Sequence, residues 1–180
     1  KQFFSTMPDT VLQKPTALQP VQLQSNHYDL VVFAYQPWYL SLSIPALSAI
    51  QLPQVQKILN NTPVVTLIGS RNMWISSQQK LKRILDAAGA KLVGNIALVD
   101  RAHNLVSVVT ILYWMLTGKR DSFLGIFPRP GVSEEDVQRT ALFGETVLNS
   151  LLNNSFAGLQ TALVQQQAVV VNPDLLFVEE

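Results

Sequence analysis

The sequence predicts an α/β domain built on a parallel sheet. Three apolar runs carry that reading: YDLVVFAY (Tyr28–Tyr35), TPVVTLIGS (Thr62–Ser70) and KLVGNIALVD (Lys91–Asp100). Each is a continuous, β-branched run of strand length, the pattern of a strand buried on both faces. The stretches between them have helical spacing, and strands alternating with helices at this interval mark βαβ units. With 180 residues, 48% of them apolar and 14% charged, the chain fits a single domain able to bury a core.

The elements follow in order. Residues 1–27 hold Pro8, Pro15 and Pro20 with little periodicity and read as an extended arm ahead of a domain over 28–180. After the first strand, Ser43 supplies a cap and Pro45 a first-turn residue for a helix that Pro53 interrupts. The second strand leads to a helix from Ile75, in which Leu81, Ile84, Leu85 and Ala88 share a face and Gly89 is a natural stop. The third strand precedes a helix over Asn104–Thr117, apolar nearly all round and closed by Gly118, Lys119 and Arg120. Its Leu105, Val108, Val109, Leu112 and Leu116 form one face. Val106, Thr110 and Trp114 form a second, which is expected to be covered too. Ser133, followed by three acids, starts another helix, and a shorter one spans about 156–166. AVVVNPDLLFV, from Ala168, reads as a late strand broken by Pro173.

Composition removes several function classes. Thirteen Lys and Arg against twelve Asp and Glu leave a charge of +1 with no basic run, so no nucleic-acid partner is expected. There is no cysteine and only two distant histidines, which excludes a thiolate nucleophile and disfavours a metal site. The longest uncharged run, Asn104–Gly118, has 15 residues, short of the ~20 that a membrane-spanning helix needs. No signal-peptide core is visible at the start. These features suggest a cytoplasmic protein, with peripheral membrane association left to the apolar helix. The first residue is Lys, which fits a processed or truncated chain.

Parallel sheets bind ligands beyond the carboxyl ends of their strands. Three loops fall there. The first offers Gln36, Pro37, Trp38 and Tyr39, whose rings could stack on a flat conjugated ligand or simply pack on the next helix. The second, Gly69, Ser70, Arg71, Asn72, Met73 and Trp74, combines a glycine that permits close approach with a cation and an amide; capping by Ser70 or Asn72 is its plain structural role. The third brings Asp100, Arg101 and His103 together, as a proton-transfer cluster or as a surface ion pair beside a solvated histidine. Unusual side chains in all three loops favour a shared site. No glycine-rich phosphate loop or serine-hydrolase elbow follows any strand.

The segments FFSTMPDTVLQKP, YDLVVFAYQPWYLSLSIP, TPVVTLIGSRNMW, GAKLVGNIALVDRAHNLVSVVTILYWMLTGKR and FLGIFPRPGVSEEDV resemble the dialkylresorcinol condensing enzymes of Bacteroidetes and other Gram-negative bacteria. The resemblance covers most of the chain. It implies a flavodoxin-like three-layer sandwich and an FMN-dependent oxidoreductase in dialkylresorcinol or flexirubin-type biosynthesis, with NAD(P)H as reductant and a lipid or polyketide-like substrate. FMN would lie on Gln36–Tyr39 and Gly69–Trp74, with Asp100, Arg101 and His103 as the catalytic cluster. Carbon–carbon condensation sits awkwardly with a chain lacking cysteine, so a redox step such as aromatisation suits it better. The family's first strand and its Ser/Thr-rich phosphate loop are not readable in residues 1–27. The expectation is therefore a fragment, or a sheet completed by the C-terminal run or another chain. The competing reading is a non-catalytic flavodoxin-like module that binds a protein partner, or a second copy of itself, through the Leu105–Leu116 helix.

Overall fold

The computed structural model describes residues 2–100, 104–118 and 131–171. Three of the predicted strands form: β1 (Val31–Tyr35), β4 (Pro63–Ser70) and β5 (Lys91–Val99). They make one parallel sheet in the order β1-β4-β5, with Val31 opposite Val64, and Pro63 opposite Lys91. Between β1 and β4 lie a two-residue pair, β2 (Pro37–Trp38) and β3 (Ser41–Leu42), and two helices, α3 (Ile44–Ile50) and α4 (Pro53–Leu59). The expected interruption at Pro53 is present: one helix ends at Ile50 and Pro53 opens a second, where its missing N–H costs nothing.

Because each new strand adds on the same side of the last, right-handed crossovers put their helices on one face. Leu47 and Ile50 of α3, Leu59 of α4, and Leu81 and Leu85 of α5 (Ile75–Ala87) pack there on Tyr35, Val64 and Ile68. Gly89, at φ 71°, ends α5, and its carbonyl accepts from the Asn61 N–H at 2.8 Å. The expected stop thus also ties two crossovers together.

The other face is covered by α7 (Glu134–Leu152) and α8 (Leu159–Gln165), whose Phe143, Val147, Leu159 and Leu163 pack on Val65 and Ile96. Ser133 caps α7 by accepting from the Asp136 N–H at 3.0 Å, as its sequence position predicts. Gly94 is small for a packing reason. A methyl group there would stand 3.2 to 3.4 Å from Leu163, Val65 and Leu159, so its absence lets α8 approach the sheet.

The arm is more structured than its prolines suggest. It starts with α1 (Gln2–Ser5) and α2 (Met7–Val11), and Pro8 sits in the first turn of α2, where proline is tolerated. The Thr16 N–H donates to Ser48 Oγ at 2.9 Å, which fastens the arm to α3. Burial of β1 on both faces does not hold: Phe33 and Tyr35 face the core, but Val32 is 57% exposed and Ala34 is exposed. On α6 (Asn104–Thr117), Thr110 is buried while Val109, Leu112 and Leu116 are exposed; the side chains of Leu105, Val106 and Val108 lie outside the described residues. Arg101, His103, the side chain of Trp114 and the run beyond Val171 lie outside the described residues. Among the described residues no helix is long and apolar enough to cross a membrane.

Candidate functional site

The carboxyl ends of β1, β4 and β5 lie along one edge because all three strands are parallel. The loops after β4 and β5 are joined directly, as the Asp100 N–H donates to the Ser70 carbonyl at 3.0 Å. Asp100 is buried, and its carboxylate accepts from the Gly131 N–H at 3.3 Å, fixing the start of the segment that leads to α7. Asp100 therefore has a structural task as a loop staple.

After β1, the Gln36 carbonyl accepts from the Ser43 N–H at 3.0 Å and closes a small hairpin in which Pro37 faces Leu42 and Trp38 faces Ser41. Its two-residue turn is Tyr39-Leu40, with φ of 49° and 58°. Positive φ at both positions is what a tight hairpin requires, but Asn-Gly usually supplies it. Non-glycine residues there cost about 1–2 kcal/mol each, strain that persists only where surrounding contacts over-determine it. Those contacts come from Lys80 on α5, whose ammonium donates to the Leu40 carbonyl at 2.9 Å and to Ser41 Oγ at 2.7 Å. Burial, and to a lesser extent the neighbouring Arg83 charge, lower the Lys80 pKa. Trp38 and Tyr39 are both half-buried, and desolvation raises the Tyr39 phenol.

In the second loop, Arg71, Asn72 and Met73 are half-buried, whereas Trp74 is 6% exposed and belongs to the core. Trp74 stands at the N-cap of α5, which has no side-chain cap, and the Ser70 hydroxyl is 3.4 Å from the Met73 carbonyl. The Ser70 hydroxyl is therefore spent on that carbonyl rather than on capping α5. Beneath the loops a half-buried relay joins four elements. Tyr35 Oη donates to Gln78 Oε1 at 2.9 Å, Gln78 Nε2 to Thr66 Oγ1 at 2.9 Å, and Thr66 Oγ1 to Asn95 Oδ1 at 2.8 Å. It ties the end of β1 and the middles of β4 and β5 to α5.

The structure thus brings Gln36–Tyr39, Gly69–Trp74 and Asp100 to one edge of the sheet. Sequence reasoning missed Leu40, Gln78 and Lys80. A lysine on a helix forty residues from its partner carries no local signal, although a hairpin turn without Gly or Asn was a legible oddity. A separate cavity of about 520 Å³ on the flank of α5 is lined by Gln13, Gln51, Gln56, Lys80 and Arg83, and shares none of the expected site residues. Among the described residues no acid–histidine group could hold a metal. Comparison of the chain with protein-family models, with curated proteins and with solved structures finds no match.

Proposed function

We propose that this is a flavodoxin-like, FMN-dependent oxidoreductase that acts in the cytoplasm on a lipid or polyketide-like intermediate of dialkylresorcinol or flexirubin-type biosynthesis, at an aromatisation step. The observation that carries the proposal is the strained aromatic hairpin: Trp38 and Tyr39 lie just past the end of β1, with Leu40 pinned by Lys80. Two half-buried aromatics at a strand's carboxyl end suit one face of a flat tricyclic ring. The order β1-β4-β5 with helices on both faces is compatible with the last three strands of a flavodoxin-like sheet. The ring end of FMN fits these residues, and its chemistry would be two-electron transfer, with NAD(P)H as reductant. Among the described residues, no Ser/Thr-rich loop follows a strand to hold the phosphate.

Titration with FMN and with riboflavin, read by quenching of flavin fluorescence, tests the proposal. Both ligands should bind weakly and with similar affinity, and Trp38→Ala should weaken both. No quenching, or quenching indifferent to Trp38→Ala and to Arg71→Ala, overturns the flavin reading.

The exposed Val109, Leu112, Met115 and Leu116 on α6 favour a second reading, a non-catalytic module that binds a protein or a second copy through that helix. Loss of self-association or partner binding in Leu116→Glu, with no flavin response, would establish it.

A further inference from the structure

The cavity on the flank of α5 is walled by three parts of the chain. From α5 come Lys80, Arg83, Ile84 and Ala87, which recur at helical spacing on one face. Gln51 and Gln56 come from the joint between α3 and α4, and Gln13 from the arm. The arm is held in place there by the Thr16 bond to Ser48 and by Gln54 Nε2, which donates to the Val21 carbonyl at 3.2 Å. At about 520 Å³ the space falls in the size range of small-molecule sites.

Its charge is one-sided. Arg83 makes no ion pair or hydrogen bond among the described residues, and the Lys80 ammonium, a triple donor, uses only two of its N–H groups, on Leu40 and Ser41. The acids on the walling elements are Asp9, which pairs with Lys14 at 3.6 Å, and Asp86, and neither lines the cavity. Burial and then the Arg83 charge work against the Lys80 ammonium, a repulsion that an anion would relieve. Gln13 supplies an independent observation. At the end of α2 the Lys14 N–H donates to the Asp9 carbonyl at 2.8 Å and the Gln13 N–H to the Thr10 carbonyl at 3.1 Å, with Gln13 at φ 51°. Glycine is the usual residue at that position of a helix end. Here a glutamine stands there instead, its side chain on the cavity wall and its Nε2 buried without a hydrogen-bond partner.

We propose that this cavity binds a small organic phosphomonoester: Arg83 and the remaining N–H of Lys80 hold its phosphate, and its organic body lies between Ile84 and Ala87 of α5 and the side chains of Gln13 and Gln51. A phosphomonoester carries about −1.5 to −2 charges at neutral pH, which matches the two cations, and its terminal oxygens accept from a guanidinium fork and an ammonium at once. A carboxylate brings a single charge. Inorganic phosphate would answer the cations but leave Ile84 and the glutamine wall uncovered. None of the loop residues at the carboxyl edge of the sheet lines the cavity, so the inference does not rest on the flavin reading.

The probe is phenyl phosphate, titrated calorimetrically into the full chain in a phosphate-free buffer of low ionic strength. It should bind at least ~10-fold more tightly than inorganic phosphate, which lacks the body, and than benzoate, which lacks the second charge. Arg83→Ala, at an exposed position, should weaken phenyl phosphate at least ~10-fold, whereas Lys82→Ala, an exposed cation of α5 outside the cavity, should leave it unchanged. Gln13→Gly removes part of the wall at a backbone position that glycine favours, so it should weaken phenyl phosphate and leave inorganic phosphate unaffected. Lys80 is left intact because it also holds the Leu40 turn. Circular dichroism on each variant checks that the fold is retained. The proposal fails if phenyl phosphate does not bind, if Lys82→Ala weakens it as much as Arg83→Ala, or if Gln13→Gly does not distinguish the two phosphates. It fails equally if inorganic phosphate binds as tightly, which would mean an adventitious ion only, or if benzoate does, which would assign the site to carboxylates.

Discussion

Replacing Gln78 with Leu should expose how the relay under the loops is held. The change keeps the side chain's approximate size but removes the acceptor for Tyr35 Oη and the donor to Thr66. Tyr35 is 6% exposed, so its hydroxyl would keep only the buried Ser77 side chain as a polar neighbour, costing about 1–3 kcal/mol. Thr66 keeps its bond to Asn95 and loses only one partner, about 1 kcal/mol. The sum predicts a loss of roughly 2–4 kcal/mol. In a Tyr35→Phe background that hydroxyl is gone, so Gln78→Leu should cost only about 1 kcal/mol, giving a coupling of about 1–3 kcal/mol. Urea unfolding of the four proteins at neutral pH measures this directly. A second arm uses pH. Burial raises the Tyr35 phenol above its ordinary value of 10.0, so the unfolded chain gives up that proton first. Its contribution is therefore complete below about pH 10 and is lost as pH rises further, with the unfolded state binding fewer protons. Tyr35→Phe should flatten that alkaline decline. Additive single-mutant costs, or an alkaline slope that Tyr35→Phe leaves unchanged, would refute the reasoning.

Lys80→Met should release the strained turn, costing about 1–2 kcal/mol and speeding hydrogen exchange at Tyr39–Ser41 with β4 and β5 unaffected; uniform exchange along the chain would argue against a local clamp. Gly94→Leu should push α8 off the sheet and lower the urea midpoint by an amount equivalent to about 1–3 kcal/mol, and an unchanged midpoint would mean that the contacts at Leu163 and Leu159 yield freely.

The three parallel strands, the helix stop at Gly89 and the Ser133 cap were legible in the sequence because each rests on signals within a few residues: a β-branched run, a glycine after an apolar stripe, a hydroxyl three residues before an N–H. The loops after β1 and β4 were legible as well, since parallel strands bring their carboxyl ends together. Tertiary structure alone decided the rest. The run ending at Tyr35 reads as buried on both faces, yet Val32 is exposed, because hydrophobicity records a residue's preference and only the neighbouring elements determine whether it is met. Likewise Lys80 clamping Leu40, and Gln160 covering the Asn95 edge, join residues that no local pattern connects. Such bonds depend on where two elements end up in space, and that is set by the packing of helices on the sheet rather than by the sequence around either partner.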